Sequence, residues 1–307
     1  MRATVLVNRG SGTVAKKKLT AEGLREMFHE AGVEADVRLI PGRQMHAAAL
    51  EAVKAGAEAV VAGGGDGTIR TVASALIGGK VPLGVLPLGT LNHFATDLKI
   101  PNDPEAAIRV ISEGRAQALD VGEVNGEIFL NNSSIGFYPP IVQARDQEMR
   151  RSSRNKWLAM AIATFKLMPK LAPLRLRISS GDWQVERKTE ALFVGNSEYR
   201  MSALDHSAPD RLEAGGFLCV YVARTGSRLA LFGLALAGLF RDVKQTQGVE
   251  DWKLRELKVE VRETRAIPVS FDGEVGTLRS PLHYRKRVGA LRVILPIPSL
   301  TGPPAPA

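Results

Sequence analysis

The sequence lacks most features that mark secreted, disulfide-linked or membrane-spanning proteins. Its 307 residues include one cysteine, Cys219, which excludes a disulfide within the chain and a metal site built from several cysteines. A lone thiol is typical of a reducing compartment. The first apolar stretch ends at Asn8, and the longest, residues 229–240, has 12 residues, whereas a spanning helix needs about 20. We expect no export signal and no transmembrane segment.

Aromatic residues are scarce too, at 6%, but the hydrophobic share of 45% and the charged share of 24% are ordinary for a soluble globular protein. A chain of this length forms two domains or one large one. The charges are unequal, with 41 Lys and Arg against 32 Asp and Glu, which leaves a net charge of +9. Such a surface attracts anions, which include phosphates, nucleotides, nucleic acid and acidic lipid headgroups. Charge alone does not select among them.

The first 120 residues alternate short β-branched runs with helical stretches, which predicts βαβ units on a parallel sheet. We therefore assign residues 1–120 to an α/β domain with a parallel sheet. Glycine-rich segments fall where predicted strands pass into predicted helices. The predicted strands are residues 4–7, 35–40, 57–62 and 81–86, and the predicted helices are residues 15–31, 45–55, 68–77 and 91–97.

From residue 121 the pattern is that of antiparallel strands. Two apolar runs flank Asn125-Gly126, a dipeptide favoured in two-residue hairpin turns. Later segments alternate apolar and polar residues, which predicts a β-rich, sandwich-like domain over residues 121–295, and we leave open whether its last strand returns to the first domain. The tail, residues 296–307, is rich in proline, and we expect it to be disordered. The alternating segments are residues 174–178, 183–187, 257–262 and 291–295, and helices are predicted over residues 155–171 and 228–242.

The strongest local motif is Gly63-Gly-Gly-Asp-Gly-Thr68, which lies between an apolar strand and a helix. Backbone N–H groups at a helix N-terminus bind phosphate, and glycines let the backbone come close to a ligand. Asp66 would repel phosphate by itself, so it indicates a bridging cation such as Mg²⁺ or a hydrogen bond to an attacking hydroxyl. The alternative is a tight turn stabilised by an Asp side chain.

Together with four other segments, this motif resembles the diacylglycerol kinase catalytic-domain family, which includes bacterial lipid kinases and sphingosine kinases. The resemblance spans about residues 4–295 and implies an α/β domain of the NAD kinase and diacylglycerol kinase type. It further implies ATP and Mg²⁺ as cofactors. The other segments are Asn8-Arg-Gly-Ser-Gly12, Pro87-Leu-Gly-Thr-Leu-Asn-His-Phe-Ala95, Asn131-Asn-Ser-Ser-Ile-Gly-Phe137 and Phe271-Asp-Gly-Glu274.

The resemblance and the local chemistry together give a set of candidate site residues. For catalysis we select Asp272 as the preferred general base, Asp66 as the other candidate base, and Glu274 near the nucleotide or its metal. The metal candidates are Asp66 and Glu274. Ordinary alternatives are a solvated hairpin turn at 272–274, a basic helix start after Gly12 and a plain helix cap at 89–92. The nucleotide-binding candidates are Asn8, Ser11, Gly12, Gly63, Gly64, Gly65, Asp66, Gly67, Thr68, Gly89, Thr90 and Asn92.

Three positions depart from the family pattern. His93 stands where many members have Asp, and its role is left open as a phosphate or substrate contact. Arg70 and Thr71 stand where Asn and Glu are common, which changes the charge beside the nucleotide. Gly215 stands where bacterial relatives often have an Asp that helps hold a structural Mg²⁺, so we expect that site to be absent or rebuilt with Glu213.

The sequence thus predicts an ATP-dependent lipid kinase that is cytoplasmic and peripherally membrane-associated. The basic, amphipathic stretch of residues 150–170 would contact an anionic membrane, although a helix packed on its own domain is the alternative. The expected partners are a lipid substrate and the membrane surface but no nucleic acid, and a homodimer is left open. A soluble-substrate kinase of the NAD kinase type and a non-catalytic lipid-binding relative remain as alternative functions.

Overall fold

The computed structural model describes residues 1–17, 19–137, 139–140, 173–197, 216–223 and 249–297. The chain forms two compact units. Unit 1 contains Met1–Val121 together with the segment from Val288 onward, and unit 2 contains Gly122–Arg287.

Unit 1 is built on a parallel sheet, as the alternation of strands and helices predicts. Its strands are β1 (Arg2–Asn8), β2 (Glu34–Ile40), β3 (Ala59–Gly64) and β4 (Leu83–Pro87), in the order β2-β1-β3-β4. The central strands β3 and β4 are buried along their whole length, as expected for parallel strands covered on both faces. The last part of the chain also reaches this sheet, because Val293 pairs with Leu83 of β4.

The helices of unit 1 differ from the sequence prediction at two places. The single helix predicted over residues 15–31 is wrong, because the Thr20 side chain accepts a hydrogen bond from the Gly23 amide and begins a second helix there. A helix after Asp103 was not predicted, although an Asp cap followed by Pro104 is a recognisable start signal. The helices are α1 (Gly12–Lys17), α2 (Ala21–Glu30), α3 (Met45–Lys54), α4 (Asp66–Leu76), α5 (His93–Asp97) and α6 (Pro104–Glu113), with a short 3-10 helix at Gly42–Gln44.

Unit 2 is a β sandwich, which confirms the predicted fold of the second half. A six-stranded antiparallel sheet has the order β12-β11-β10-β7-β14-β15, and a second sheet includes β13, β8 and β9. Side chains from both sheets form one core, which includes Ile135, Val194, Ile178 and Val259. The strands from residue 115 on are β5 (Arg115–Val124), β6 (Glu127–Phe129), β7 (Asn132–Gly136), β8 (Leu174–Ser180), β9 (Trp183–Thr189), β10 (Ala191–Gly195), β11 (Leu218–Ala223), β12 (Val249–Leu254), β13 (Glu256–Val261), β14 (Ala266–Phe271), β15 (Glu274–Arg279) and β16 (Leu282–Leu295).

The hairpin predicted at Asn125-Gly126 is confirmed. Both residues have positive φ angles, 48° and 91°, as a turn with two left-handed residues requires. Asp272-Gly273 forms a turn of the same kind between β14 and β15, with φ angles of 50° and 85°. The structure therefore gives Asp272 a backbone conformation that few residues adopt.

Several sequence predictions lie outside the described residues: the two helices over residues 155–171 and 228–242, the altered magnesium site at Glu213 and Gly215, and the tail from residue 298. Within the described part of the chain, no helix is long and apolar enough to cross a membrane.

Candidate functional site

Three loops of unit 1 lie at the same edge of the parallel sheet. They follow β1, β3 and β4, which are neighbours in the sheet and run in the same direction. We name them loop 1 (residues 8–12), loop 2 (residues 63–68) and loop 3 (residues 87–92). The carboxyl ends of parallel strands are the usual place for ligands in open α/β sheets.

Loop 1 is joined to loop 2 by a side-chain hydrogen bond. The Asn8 amide nitrogen Nδ2 donates to the Thr68 hydroxyl at 3.0 Å. The Asn8 oxygen Oδ1 accepts from the Gly10 amide, also at 3.0 Å. Asn8 therefore fixes the shape of its own loop and ties that loop to the first turn of α4.

Loop 1 is also joined to loop 3. The hydroxyl of Ser11 donates to the backbone carbonyl of Leu88. The Ser11 amide donates back to the Asn8 carbonyl at 2.9 Å. Because Ser11 holds Leu88, it serves as a link between loops in this structure.

Loops 2 and 3 are joined by the carboxylate of Asp66. Its two oxygens accept the backbone amides of His93 at 3.2 Å and Phe94 at 3.0 Å, which are the first residues of α5. The amide of Leu88 also donates to the Gly64 carbonyl at 2.9 Å. The three loops thus form a closed triangle in which each loop is bonded to the other two.

The glycines of these loops are needed because the loops pack closely on each other. We expected them to let a ligand approach, but a Cβ at Gly64 would lie 2.6 Å from the Thr68 side chain. A Cβ at Gly89 would lie 2.5 Å from the Cα of Gly65, and one at Gly63 would lie 2.8 Å from Val7. Such distances are too short for any larger residue, so packing within loop 2, against β1 and between loops 2 and 3 already requires glycine at these positions. At Gly12 the space is open, with nothing within 4 Å.

Loop 3 offers fewer ligand contacts than its sequence suggests. Asn92, only 5% exposed, has a left-handed backbone, and its side chain bonds to the Gly89 amide at 3.0 Å and to Asn102 at 2.8 Å. The first two amides of α5 already donate to Asp66. Thr90, by contrast, is exposed. Of the loop 3 candidates, Thr90 is thus the one whose exposure suits ligand binding.

The start of α4 has the backbone features that suit an anion. This helix has 11 residues, and its first turn contains Asp66, Gly67 and Thr68. The first amides of an α-helix have no partner within the helix, and they lie at the positive end of its dipole. Phosphate binding by loop 2 stays a prediction, and these amides are the groups on which it depends.

Asp66 also suits a metal carried by a nucleotide. Each of its oxygens accepts one amide, and a carboxylate oxygen has room for a second partner. Among the described residues, no group of three or more His, Cys, Asp or Glu side chains could hold a metal. Mg²⁺ in kinases commonly uses one or two carboxylates with water and substrate phosphate, so Asp66 fits that ligand chemistry.

In unit 2, Asp272 is held tightly by the segment before β7. Its carboxylate accepts the amides of Leu130 at 2.8 Å, Asn131 at 2.7 Å and Asn132 at 3.0 Å. Its own amide donates to the Asn132 carbonyl at 2.9 Å. Glu274 begins β15 and is exposed. Sequence reasoning missed this anchoring role of residues 130–132, because no local signal links them to a residue 140 positions away.

Two of the family departures take part in local structure. The amide of His93 donates to Asp66, a backbone contact that does not depend on the residue type. The Thr71 hydroxyl donates to the Gly67 carbonyl at 2.8 Å, within its own helix. Thr71 therefore contributes to the shape of α4.

Comparison with known proteins gives one consistent family. The sequence model of the diacylglycerol kinase catalytic domain matches residues 2–124. A Pseudomonas aeruginosa protein described as a probable lipid kinase, YegS-like, is 34% identical over 263 residues, which cover 83% of this chain and 82% of the relative. The diacylglycerol kinase of Bacillus subtilis is 28% identical, covering 90% of each chain. A diacylglycerol kinase structure from Bacillus anthracis has a TM-score of 0.68 at 17% identity, covering 97% of this chain and 98% of that one.

Proposed function

The chain belongs to the diacylglycerol kinase catalytic-domain family, and we propose that it transfers the γ-phosphate of ATP to a hydroxyl of a diacylglycerol-like or sphingoid-like lipid at a membrane surface. The observation that carries the proposal is the bonded triangle of loops in unit 1, with Asp66 at its centre. A fixed arrangement of amides suits a reaction in which catalysis is mostly positioning and electrostatics.

In this proposal loops 1 and 2 bind the triphosphate of ATP. The amides of the first turn of α4 donate to phosphate oxygens, and the exposed Thr90 of loop 3 supplies a hydroxyl. Asp66 is the proposed Mg²⁺ ligand of these loops, and Glu274 stays a second metal candidate on the strength of its sequence motif. When bound, Mg²⁺ neutralises part of the phosphate charge.

Asp272 is the proposed general base, with Asp66 as the other candidate. Three amides donate to its carboxylate and fix its orientation. The carboxylate takes the proton of the lipid hydroxyl while that hydroxyl oxygen forms its bond to the γ-phosphorus and the bond to the ADP oxygen breaks. The left-handed Asp-Gly turn is what brings this carboxylate back over residues 130–132.

The decisive experiment incubates the purified protein with Mg²⁺ and γ-labelled ATP over vesicles of a total lipid extract. Label that enters the organic phase, and is lost in Asp66→Ala, supports the lipid kinase. Asp103→Ala is the matched control, because Asp103 caps α6 in the way that Asp66 caps α5 but lies outside the three loops. Label found only in water, or ADP release that depends on NAD, would favour a soluble acceptor instead. No transfer, with vesicle binding intact, would favour a non-catalytic lipid-binding protein.

A further inference from the structure

Two buried serines in unit 2 lie opposite each other on adjacent strands. Ser134 of β7 pairs in register with Ser270 of β14. Both side chains are 0% exposed, and neither hydroxyl has a hydrogen-bond partner within the part of the chain that the structure describes. A buried hydroxyl without a partner costs free energy, so two of them side by side indicate a polar ligand.

The two serines face away from the sandwich core. Their strand neighbours Ile135, Val269 and Phe271 belong to that core. Side chains alternate between the two faces of a strand, so Ser134 and Ser270 lie on the other face of the six-stranded sheet. The hydroxyls are therefore not part of the packing between the two sheets.

The neighbours of the pair in its row of the sheet are aliphatic or aromatic as far as Tyr221, and the exposed Asp251 ends the row. Val275 pairs with Ser270 on one side, Phe193 pairs with Ser134 on the other, and Tyr221 follows Phe193. Phe193 is 4% exposed and Tyr221 is 2% exposed. A few polar groups in a wall of aromatic and aliphatic side chains are typical of a small-molecule site.

This pair lies close to Asp272 along both strands. Ser270 is two residues before Asp272, and Ser134 is two residues after Asn132, whose amide holds the Asp272 carboxylate. Two residues of extended strand span about 6.5 Å. A ligand with one polar group near Asp272 can therefore present a second polar group to the serines.

We propose that Ser134 and Ser270 donate hydrogen bonds to an ester carbonyl oxygen of the acceptor lipid, so that the site selects an uncharged acylglycerol. This inference rests on the proposed function, in which Asp272 receives the proton of the lipid hydroxyl. A carbonyl oxygen has two lone pairs and accepts from both serines. The ammonium group of a sphingoid base has no lone pair, and burying its charge beside two neutral hydroxyls is costly.

The test measures binding without ATP, so that it does not depend on phosphate transfer. Dihexanoylglycerol and the matched ether, dihexylglycerol, which lacks the carbonyl groups, are titrated into the parent protein by calorimetry. We expect Ser134→Ala and Ser270→Ala each to weaken binding of the ester about three- to tenfold, as loss of one buried hydrogen bond predicts. The urea midpoints of both variants should equal or exceed that of the parent, because each loses an unpartnered buried hydroxyl.

Ser133→Ala is the matched control. Its hydroxyl lies 3.4 Å from the Tyr284 hydroxyl, so its removal should lower the urea midpoint and leave the affinity for the ester unchanged. If the Ser134 and Ser270 variants bind the ester as tightly as the parent does, the inference is overturned. It is also overturned if the parent binds the ester and the ether equally well, or if the parent does not bind the ester at all. A parent that binds the ester but transfers no phosphate to any lipid overturns the proposed function and leaves the serine site standing.

Discussion

Asp66 accepts the backbone amide of Phe94 at 3.0 Å across 28 positions of sequence. The residue that begins α4 thereby caps α5, and the glycine-rich loop after β3 cannot move independently of the loop after β4. A substitution at Asp66 therefore changes the stability of the site as well as its chemistry. The variants below are chosen to separate these two effects.

Asp66→Asn should lower stability and abolish kinase activity. Asn offers one oxygen where Asp offers two, so one of the amides of His93 and Phe94 loses its partner, at a cost of about 1–2 kcal/mol. Urea unfolding measures this cost. Asp103→Asn changes a cap that accepts the Ala106 amide and lies 3.9 Å from the exposed Lys17, and it should cost about 1 kcal/mol or less and keep activity. Equal activity losses in the two variants would contradict a specific role for Asp66.

Thr68→Val should raise the KM for ATP about three- to tenfold with kcat little changed. The valine keeps the shape of threonine but removes the acceptor for Asn8, so loop 1 is released from loop 2. Initial rates over a range of ATP concentrations measure the KM for ATP and kcat. Thr71→Val, which removes a hydroxyl bonded within the same helix, is the control. If both variants raise the KM equally, the link between the loops is not the cause.

Gly89→Ala should destabilise unit 1 by about 1–3 kcal/mol and reduce activity, because the new Cβ would lie 2.5 Å from the Gly65 backbone and 2.6 Å from the Asn92 side chain. Thermal unfolding measures the change. Gly12→Ala makes the same substitution in loop 1, where nothing lies within 4 Å, and should leave the stability unchanged. A Gly89 variant as stable as the parent would show that loops 2 and 3 are not closely packed.

Asp272→Asn tests the general base. We expect kcat to fall about 10²- to 10⁴-fold with the KM for ATP little changed. The variant also loses acceptors for the amides of residues 130–132, so a stability change of about 1–3 kcal/mol is expected as well. Turnover within a few-fold of the parent, in a folded protein, would exclude Asp272 as the base.

Tyr284 should make the protein less stable at alkaline pH. Burial raises the pKa of its phenol above the ordinary value of 10, which the hydrogen bond with Ser133 only partly offsets. Above pH 10 the unfolded chain loses this proton and the folded protein keeps it, so stability falls as pH rises, by about 1.4 kcal/mol per pH unit for one group. Urea unfolding from pH 9 to 11 should show a shallower fall in Tyr284→Phe. Equal slopes would contradict a raised pKa.

Local pattern predicted most elements of unit 1 and the sandwich of unit 2. Each strand is marked by its own run of apolar residues, and the turns at Asn125-Gly126 and Asp272-Gly273 follow from residues that accept positive φ. The boundary at Thr20 was missed, because a threonine cap inside a run of helix-forming residues is a weak signal compared with the run itself. Nothing in the sequence indicated that the Asn92 side chain bonds to Gly89 and Asn102, or that the Ser11 hydroxyl bonds to Leu88; their binding of nucleotide stays a prediction.

The sequence by itself determined the alternation of strands and helices in unit 1, the β-rich character of unit 2 and the family. These depend on residues close together in the chain, where backbone preference and apolar period act directly. Only the tertiary structure decided that Asp66 caps α5, that Asp272 is anchored by three amides and that Ser134 meets Ser270. Each of these contacts joins residues 28 to 142 positions apart, and hydrogen bonds over such separations form only when packing of apolar strands has brought the segments together.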